Sequence, residues 1–580
     1  MKNRFLNIAL VVCALFNFNC TDLEEERLDE AEFGGQSETV SGAIAPAYGF
    51  VSWVWRHTNY YGLQLIASDE AILPFRGGTD WFDGGKFIAT HQHTITPTND
   101  LVGAGWNQLT TNISRTLSAI EVLTPLADEG NAEAAEALYE MKALRAYLNM
   151  LMLDSWGLVL KKESSDQLSE VLRREEAIDY IESELLSVVD VINSSRGPGR
   201  ITQAAVWGFL ARLYLNAAVY RDPYGTPNFT QEDMSLVIQY TDNIINSAAF
   251  SLSPEYFEVF NDDNNSNPEL IFALDQRGVL NREHSRWAYW SIAGSLFPRP
   301  EFPSADGTDG PAVTSDFYQT WVDAYGEVDP ADADARFYQK NTIVPDAQLI
   351  DFEGREQVLA TETENSYYCV EPNEFEIDRG ILRGTLWGPR KGDDGAFLTC
   401  DTGVRIYPVK NRRGNGPEYV SHTLDVDFTN EGSLHHTGFR CSKYQFSRTS
   451  PNGNNFSSVD LVLMRLAEVY LMRAEAKLRS DDAGGALVDV NTLRASRTAR
   501  PDQTPEALEA IDLDIMFRER GFELYWEGFR RGDQIRFGKY EDSWTEKTDT
   551  DVNHRLFPIP QSAVDAASGI DGFLEQNQGY

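Results

Sequence analysis

The chain has 580 residues, 42% of them hydrophobic and 12% aromatic, which is ample for a large buried core. Its formal net charge of −39 repels phosphate backbones, which argues against nucleic acid and, short of a local basic patch, against polyanionic ligands. Five cysteines, none in a C-x-x-C pair, remove the case for zinc ribbons and thioredoxin-like chemistry.

Lys2 and Arg4 precede an apolar run from Phe5 to Phe18, too short to span a bilayer, so residues 1–19 read as a secretory signal. Cys20 stands where a bacterial lipoprotein is cleaved and acylated. Asn19 and Asn17 depart from the usual lipobox, so cleavage without a lipid stays the alternative. The acidic run after Cys20, in residues 20–36, reads as a solvated tether.

Helical spacing begins near residue 38 and runs towards 68, with Ser37 or Ser41 as its cap. The segment Leu73–Gly85 holds a proline and four glycines and reads as a loop. Helical patterns follow over 106–126, 132–153, 175–193, 202–220 and 231–247. Antiparallel helix pairs at this spacing predict a mostly α fold, a tetratricopeptide-like α-solenoid scaffold, with residues 37–280 as its first part. From 281 to 455, Gly, Pro, Asp and aromatic residues rise and periodicity fades, which predicts a loop-rich insertion with short strands near 402–409 and 438–446. Cys369 and Cys400 lie there, as a disulfide or as two thiols. Helices resume in 456–580. Asp460–Arg479 is predicted with Asp460 as cap, then 483–496, then a helix opened by Thr504-Pro505-Glu506 that runs, with a break near Asp512, to about Trp526.

Several motifs recur in order. They include Ala143-Leu-Arg-Ala-Tyr147, Leu153-Asp-Ser-Trp-Gly157, Glu269-Leu-Ile-Phe-Ala273 and Arg465-Leu-Ala-Glu-Val-Tyr-Leu-Met-Arg-Ala-Glu-Ala476. Arg518-Glu-Arg-Gly-Phe-Glu-Leu-Tyr-Trp-Glu-Gly-Phe-Arg530, Phe557-Pro-Ile-Pro560 and Gln576-Asn-Gln-Gly-Tyr580 close the series. This ordered series resembles the SusD/RagB family over nearly the whole mature chain. The resemblance implies a surface-exposed, lipid-anchored outer-membrane protein that lies as a lid on a SusC-like TonB-dependent transporter and hands it oligosaccharides. In some branches the cargo is peptide. The acidic run after Cys20 resembles the surface-export signal of such lipoproteins.

The candidate ligand-binding residues are Arg76, Asp80, Trp81, Phe82 and Asp83 on the Gly-rich loop, and Trp287, Tyr289, Trp290 and Trp321 in the insertion. Aromatic rings stack on the C–H faces of sugars, while carboxylates and guanidinium groups hold hydroxyls. The competing reading is that these rings pack the loop and insertion onto the helices; Trp387 is a further, weaker candidate. Glu519, Glu523 and Glu527, spaced by four, read as a structural ion-pair network with Arg465, Arg473, Arg494, Arg530 or Arg536 rather than an acid–base site. His91-x-His93 lacks a third ligand at metal spacing, Asp262–Ser266 reads as a turn, and Gly85-Lys86-Phe87 misses the phosphate-loop pattern. No cofactor or metal is expected, and no nucleophile elbow or zinc-protease motif is present. A glycan-binding lid is therefore the leading reading. A peptide-binding lid and a secreted glycoside hydrolase are the alternatives.

Overall fold

A computed structural model describes residues 35–77, 81–276, 286–301, 304–342, 367–412, 418–426, 428, 432–448, 450 and 457–580. Cys20, the signal segment, nearly all of the acidic tether and Asp80 lie outside the described residues.

Helix pairs form the frame. Asn99 accepts a hydrogen bond from the Leu101 N–H and opens the Asp100–Asp128 helix; Asn131 does the same through Ala134 for Ala132–Trp156. Thr202 caps Gln203–Arg221 and Thr230 caps Gln231–Asn246. These helices pack pairwise, and Gln231–Asn246 also packs on Leu466–Arg479, which lies against Ala483–Ser496. The predicted solenoid-like body is thus present, largely helical. Its core is aromatic as well as aliphatic: Tyr147 stacks on Phe209 at 4.9 Å, and both meet Phe272 edge-on. Gly208 lets the Gln203–Arg221 helix approach the core strand, since a Cβ there would lie 2.0 Å from Met464 Sδ.

Three expectations need correction. Residues 461–465 are a strand, not the first turn of a helix: Leu461–Arg465 pairs antiparallel with Leu270–Leu274, and the helix starts at Leu466. Both strands are buried along their whole length, so an apolar run that also fits a helical stripe is settled by its distant partner. Thr504 opens no helix, because its hydroxyl donates to Arg497 O; Asp512 caps the helix instead, over Leu513–Leu524. The 175–193 pattern is helical only over Arg174–Leu186.

Short strands shape the insertion. Arg379–Leu382 is flanked by Arg440–Ser442 and Tyr338–Gln339, and Val404–Pro408 lies between Trp387–Pro389 and Tyr368–Val370, all antiparallel. Cys369 and Cys400 are joined in a disulfide. The chain end ties back onto the helices. Trp156 Nε1 donates to Pro558 O at 3.0 Å, and Asn577 Nδ2 donates to Trp156 O and Phe557 O. The motifs at 153–157, 557–560 and 576–580 therefore meet in one joint, closed by the buried Trp156 and Asn577.

Candidate functional site

The frame holds its charges inside. Arg465 donates to Glu269, Glu523 and Glu527 at 2.6–2.9 Å, and Arg497 bridges Glu269 and Glu523. Arg336 and Arg494 hold Glu519, and Lys443 Nζ donates to Glu527 at 2.7 Å. Each of these side chains is buried. The helix ends at Leu524, so Glu527 joins from the segment beyond it rather than from the same helix face. Arg473, Arg530 and Arg536 serve other acids: Asp242 and Asp489, Asp69, and Glu475 with Asp533. Burial alone would raise the Glu475 carboxyl, but Arg536, Arg479 and Arg520 hold it at about 2. Carboxylates pinned this way are structural ties and poor proton donors.

The recess between Ala132–Trp156, Gln203–Arg221 and Arg530–Arg536 is lined by Asp154, Arg212, Asn216, Arg520, Asp533 and Arg536. Its cations are already spent, with Arg212 on Glu468 and Arg520 on Asp533.

The Gly-rich loop is built differently. Trp81 (φ 57°) and Asp83 (φ 45°) occupy the left-handed region, which an aspartate tolerates but where a bulky tryptophan is strained by roughly 1–3 kcal/mol. Contacts fix Trp81 in that conformation. Its Nε1 donates to Thr308 O at 2.7 Å, and its ring meets Phe87, Trp290 and His57 at 6.0–6.2 Å. The ring stays half-buried. Phe82 next to it is 44% exposed and rests edge-on against Phe75. Asp83 is exposed, with Lys86 3.7 Å away. The loop therefore presents a lip: one ring outward, a second ring beneath it, and an acid and an ammonium alongside.

The structure brings the loop and the 287–290 cluster together but distributes the residues unequally. Trp290 is buried behind Trp81 and supports it. Trp287 is partly exposed and stacks on Tyr61 at 3.6 Å, beside a small recess with Tyr444 and Gln445. Tyr289 is buried against Phe446. Arg76 is fully buried. Its guanidinium donates to Leu434 O, Thr437 O and Gly310 O, so it clamps the loop root rather than meeting solvent. Trp321 is 0% exposed and stacked on Phe522 at 3.6 Å, which makes it core rather than ligand contact. Trp387 is likewise buried, against Tyr368.

His57, Phe75, Phe87 and Thr308 complete the lip, and the sequence reading did not single them out. Phe75 in the loop and Phe87 just beyond it were visible as aromatics; His57 and Thr308 carried no signal. His91 and His93 are buried, bonded to Thr545 O and Ala67 O. Among the described residues no group of three or more His, Cys, Asp and Glu is placed to hold a metal. Asp262 caps a turn, accepting from Arg448 N–H and the Ser447 hydroxyl. Among the described residues no helix is long and apolar enough to cross a membrane.

Comparison with known proteins adds to this geometry. The sequence model of the SusD family matches residues 220–580. The starch-binding protein SusD of Bacteroides thetaiotaomicron is 28% identical over 468 residues, which span 78% of this chain and 74% of that protein. Of the solved structures, surface glycan-binding protein A from Bacteroides thetaiotaomicron in complex with laminarihexaose is 18% identical, with 93% of this chain and 99% of that one covered at a TM-score of 0.61. A SusD superfamily protein from Parabacteroides distasonis is 15% identical, with 94% and 100% covered at a TM-score of 0.63. These structures share the fold of the chain.

Proposed function

The chain belongs to the SusD family, and from that premise we propose that it is a cell-surface glycan-binding protein whose Trp81–Phe82 lip receives the sugar. The observation that carries this is the strained, buttressed loop. A bulky tryptophan is held at positive φ by a hydrogen bond and three ring contacts, and the result is an outward phenylalanine with an acid and an ammonium beside it. Pre-set rings stack on pyranose C–H faces with little ordering cost. Asp83 offers acceptors to hydroxyls.

The starch-binding relative and the laminarihexaose complex of a protein with the same fold support a saccharide over a peptide as cargo. Binding without bond cleavage is the reading favoured by the buried acids. Glu70, whose carboxyl burial pushes up to about 8, is 1% exposed and accepts the Trp526 N–H, so it cannot reach a glycosidic oxygen. In this proposal Cys20 carries the lipid at the outer membrane, the acidic tether follows it, and a SusC-like transporter takes the cargo.

Trp81→Ala weakens binding of neutral oligosaccharides by roughly tenfold, about 1.4 kcal/mol, in calorimetry. Unchanged affinity removes Trp81 from the site, and release of shorter sugars by the purified protein refutes the binder reading.

A further inference from the structure

Among the described residues only two aromatic rings are exposed, Phe82 and Tyr367, the latter 37% exposed. Phe82 belongs to the lip. Tyr367 belongs to a different surface that the proposed function leaves unused. It precedes Tyr368–Val370, the edge strand paired with Val404–Pro408, whose other edge is Trp387–Pro389. The register sets Cys369 opposite Arg405, and side-chain alternation then puts Tyr367, Arg405 and Tyr407 on one face.

Cations lie on these rings. The Arg405 guanidinium is 4.4 Å from the Tyr367 centroid, and Arg390 is 4.2 Å from that of Tyr407, with the two tyrosines 5.7 Å apart. Next to them Lys391 Nζ lies 4.3 Å from the Phe297 ring, which meets Phe397 edge-on. Arg390 is anchored by Pro408 O and Arg405 by Thr399 O; among the described residues neither pairs with a carboxylate. The Cys369–Cys400 disulfide ties the edge strand to the turn leading into Val404–Pro408, which fixes Tyr367 relative to Arg405.

Arg390, Lys391 and Arg405 gather cations on one surface of a chain whose net charge is −39. The Arg405 guanidinium over Tyr367 offers N–H groups to a planar oxyanion, and Tyr367, exposed while its neighbour Tyr407 is buried, offers ring surface to C–H groups. Exposed Asp393, Asp394 and Asp401 on the neighbouring turns repel a run of negative charges. The match is therefore one carboxylate on an otherwise neutral sugar. The geometry points to a second saccharide surface on this sheet, which takes an oligosaccharide carrying a single uronate residue. It shares no residue with the Trp81–Phe82 lip.

The test is calorimetric titration of the purified protein with oligosaccharides bearing one glucuronate or one galacturonate, each against its own methyl ester. At least one acid binds ten times or more tighter than its ester, and 0.5 M NaCl reduces that preference. The R390Q/R405Q double variant loses the preference with an unchanged melting temperature, while Trp81→Ala keeps it. Equal affinities for acid and ester throughout, no binding of any acid at millimolar concentration, or a preference that survives in the double variant overturns the assignment. Loss of neutral-sugar binding in Trp81→Ala is read separately, so the two sites fail or stand independently.

Discussion

The C-terminal helical part and the loop carrying Trp81 put the same residue types to opposite uses. In the helical part, arginines and glutamates converge out of water. Arg465 alone serves three carboxylates, and Phe522 stacks on Trp321 of the insertion, out of reach of solvent. In the loop, a tryptophan and a phenylalanine are brought to the surface on a strained backbone, with Asp83 exposed and the partly buried Lys86 beside it. Residue identity thus says little about role; the supporting contacts decide it. The same contrast separates Arg76, closed around three carbonyls, from Arg390 and Arg405, which lie partly exposed over tyrosine rings.

The contrast breaks most severely at Arg465. Arg465→Ala leaves Glu269, Glu523 and Glu527 short of a buried partner and lowers stability by about 5 kcal/mol or prevents folding, read by urea denaturation. Acid probes the same network. Glu475, Glu269, Glu519 and Glu523 have folded-state values below the ordinary 4.5, with Glu475 at about 2. Their stabilising contribution is present above about pH 4.5 and is lost as pH falls from there towards about 2, seen as a falling melting temperature. Glu70, raised to about 8, acts in the other direction: its contribution is full below 4.5 and fades as pH rises through 8. Next in size, Trp321→Ala opens a core cavity and costs about 3–4 kcal/mol, while the folded fraction keeps its sugar affinity. A selective loss of affinity there would place Trp321 back in the site. Smallest in stability is Phe82→Ala, which shifts unfolding by under about 0.5 kcal/mol yet weakens binding in calorimetry.

Much of the frame was legible. The helices over 100–128, 132–156, 203–221 and 231–246 carry apolar spacing and polar caps that act locally. The strand at 461–465 was not, because its partner at 270–274 is remote in the chain and its own pattern also fits a helix. For Trp321 a signal existed: with Phe317 four residues earlier it forms the buried stripe of the Ser315–Tyr325 helix, but the surrounding breaker-rich sequence masked that spacing. The loop was recognisable from its glycines and rings. What the sequence did not hold was the support, since His57, Trp290 and Thr308 reach Trp81 from distant segments. Tyr367 was equally silent, because exposure of one tyrosine at a strand end depends on which strands pair beside it.

The central claim is that a preset aromatic lip takes the sugar and leaves it intact. The most direct measurement is a crystal structure of the protein soaked with an oligosaccharide that it binds. The account predicts an uncleaved chain with a pyranose face against Phe82 and Trp81 and hydroxyls near Asp83 and Lys86. A sugar seated elsewhere with the lip empty, or a shortened product in the density, would contradict it.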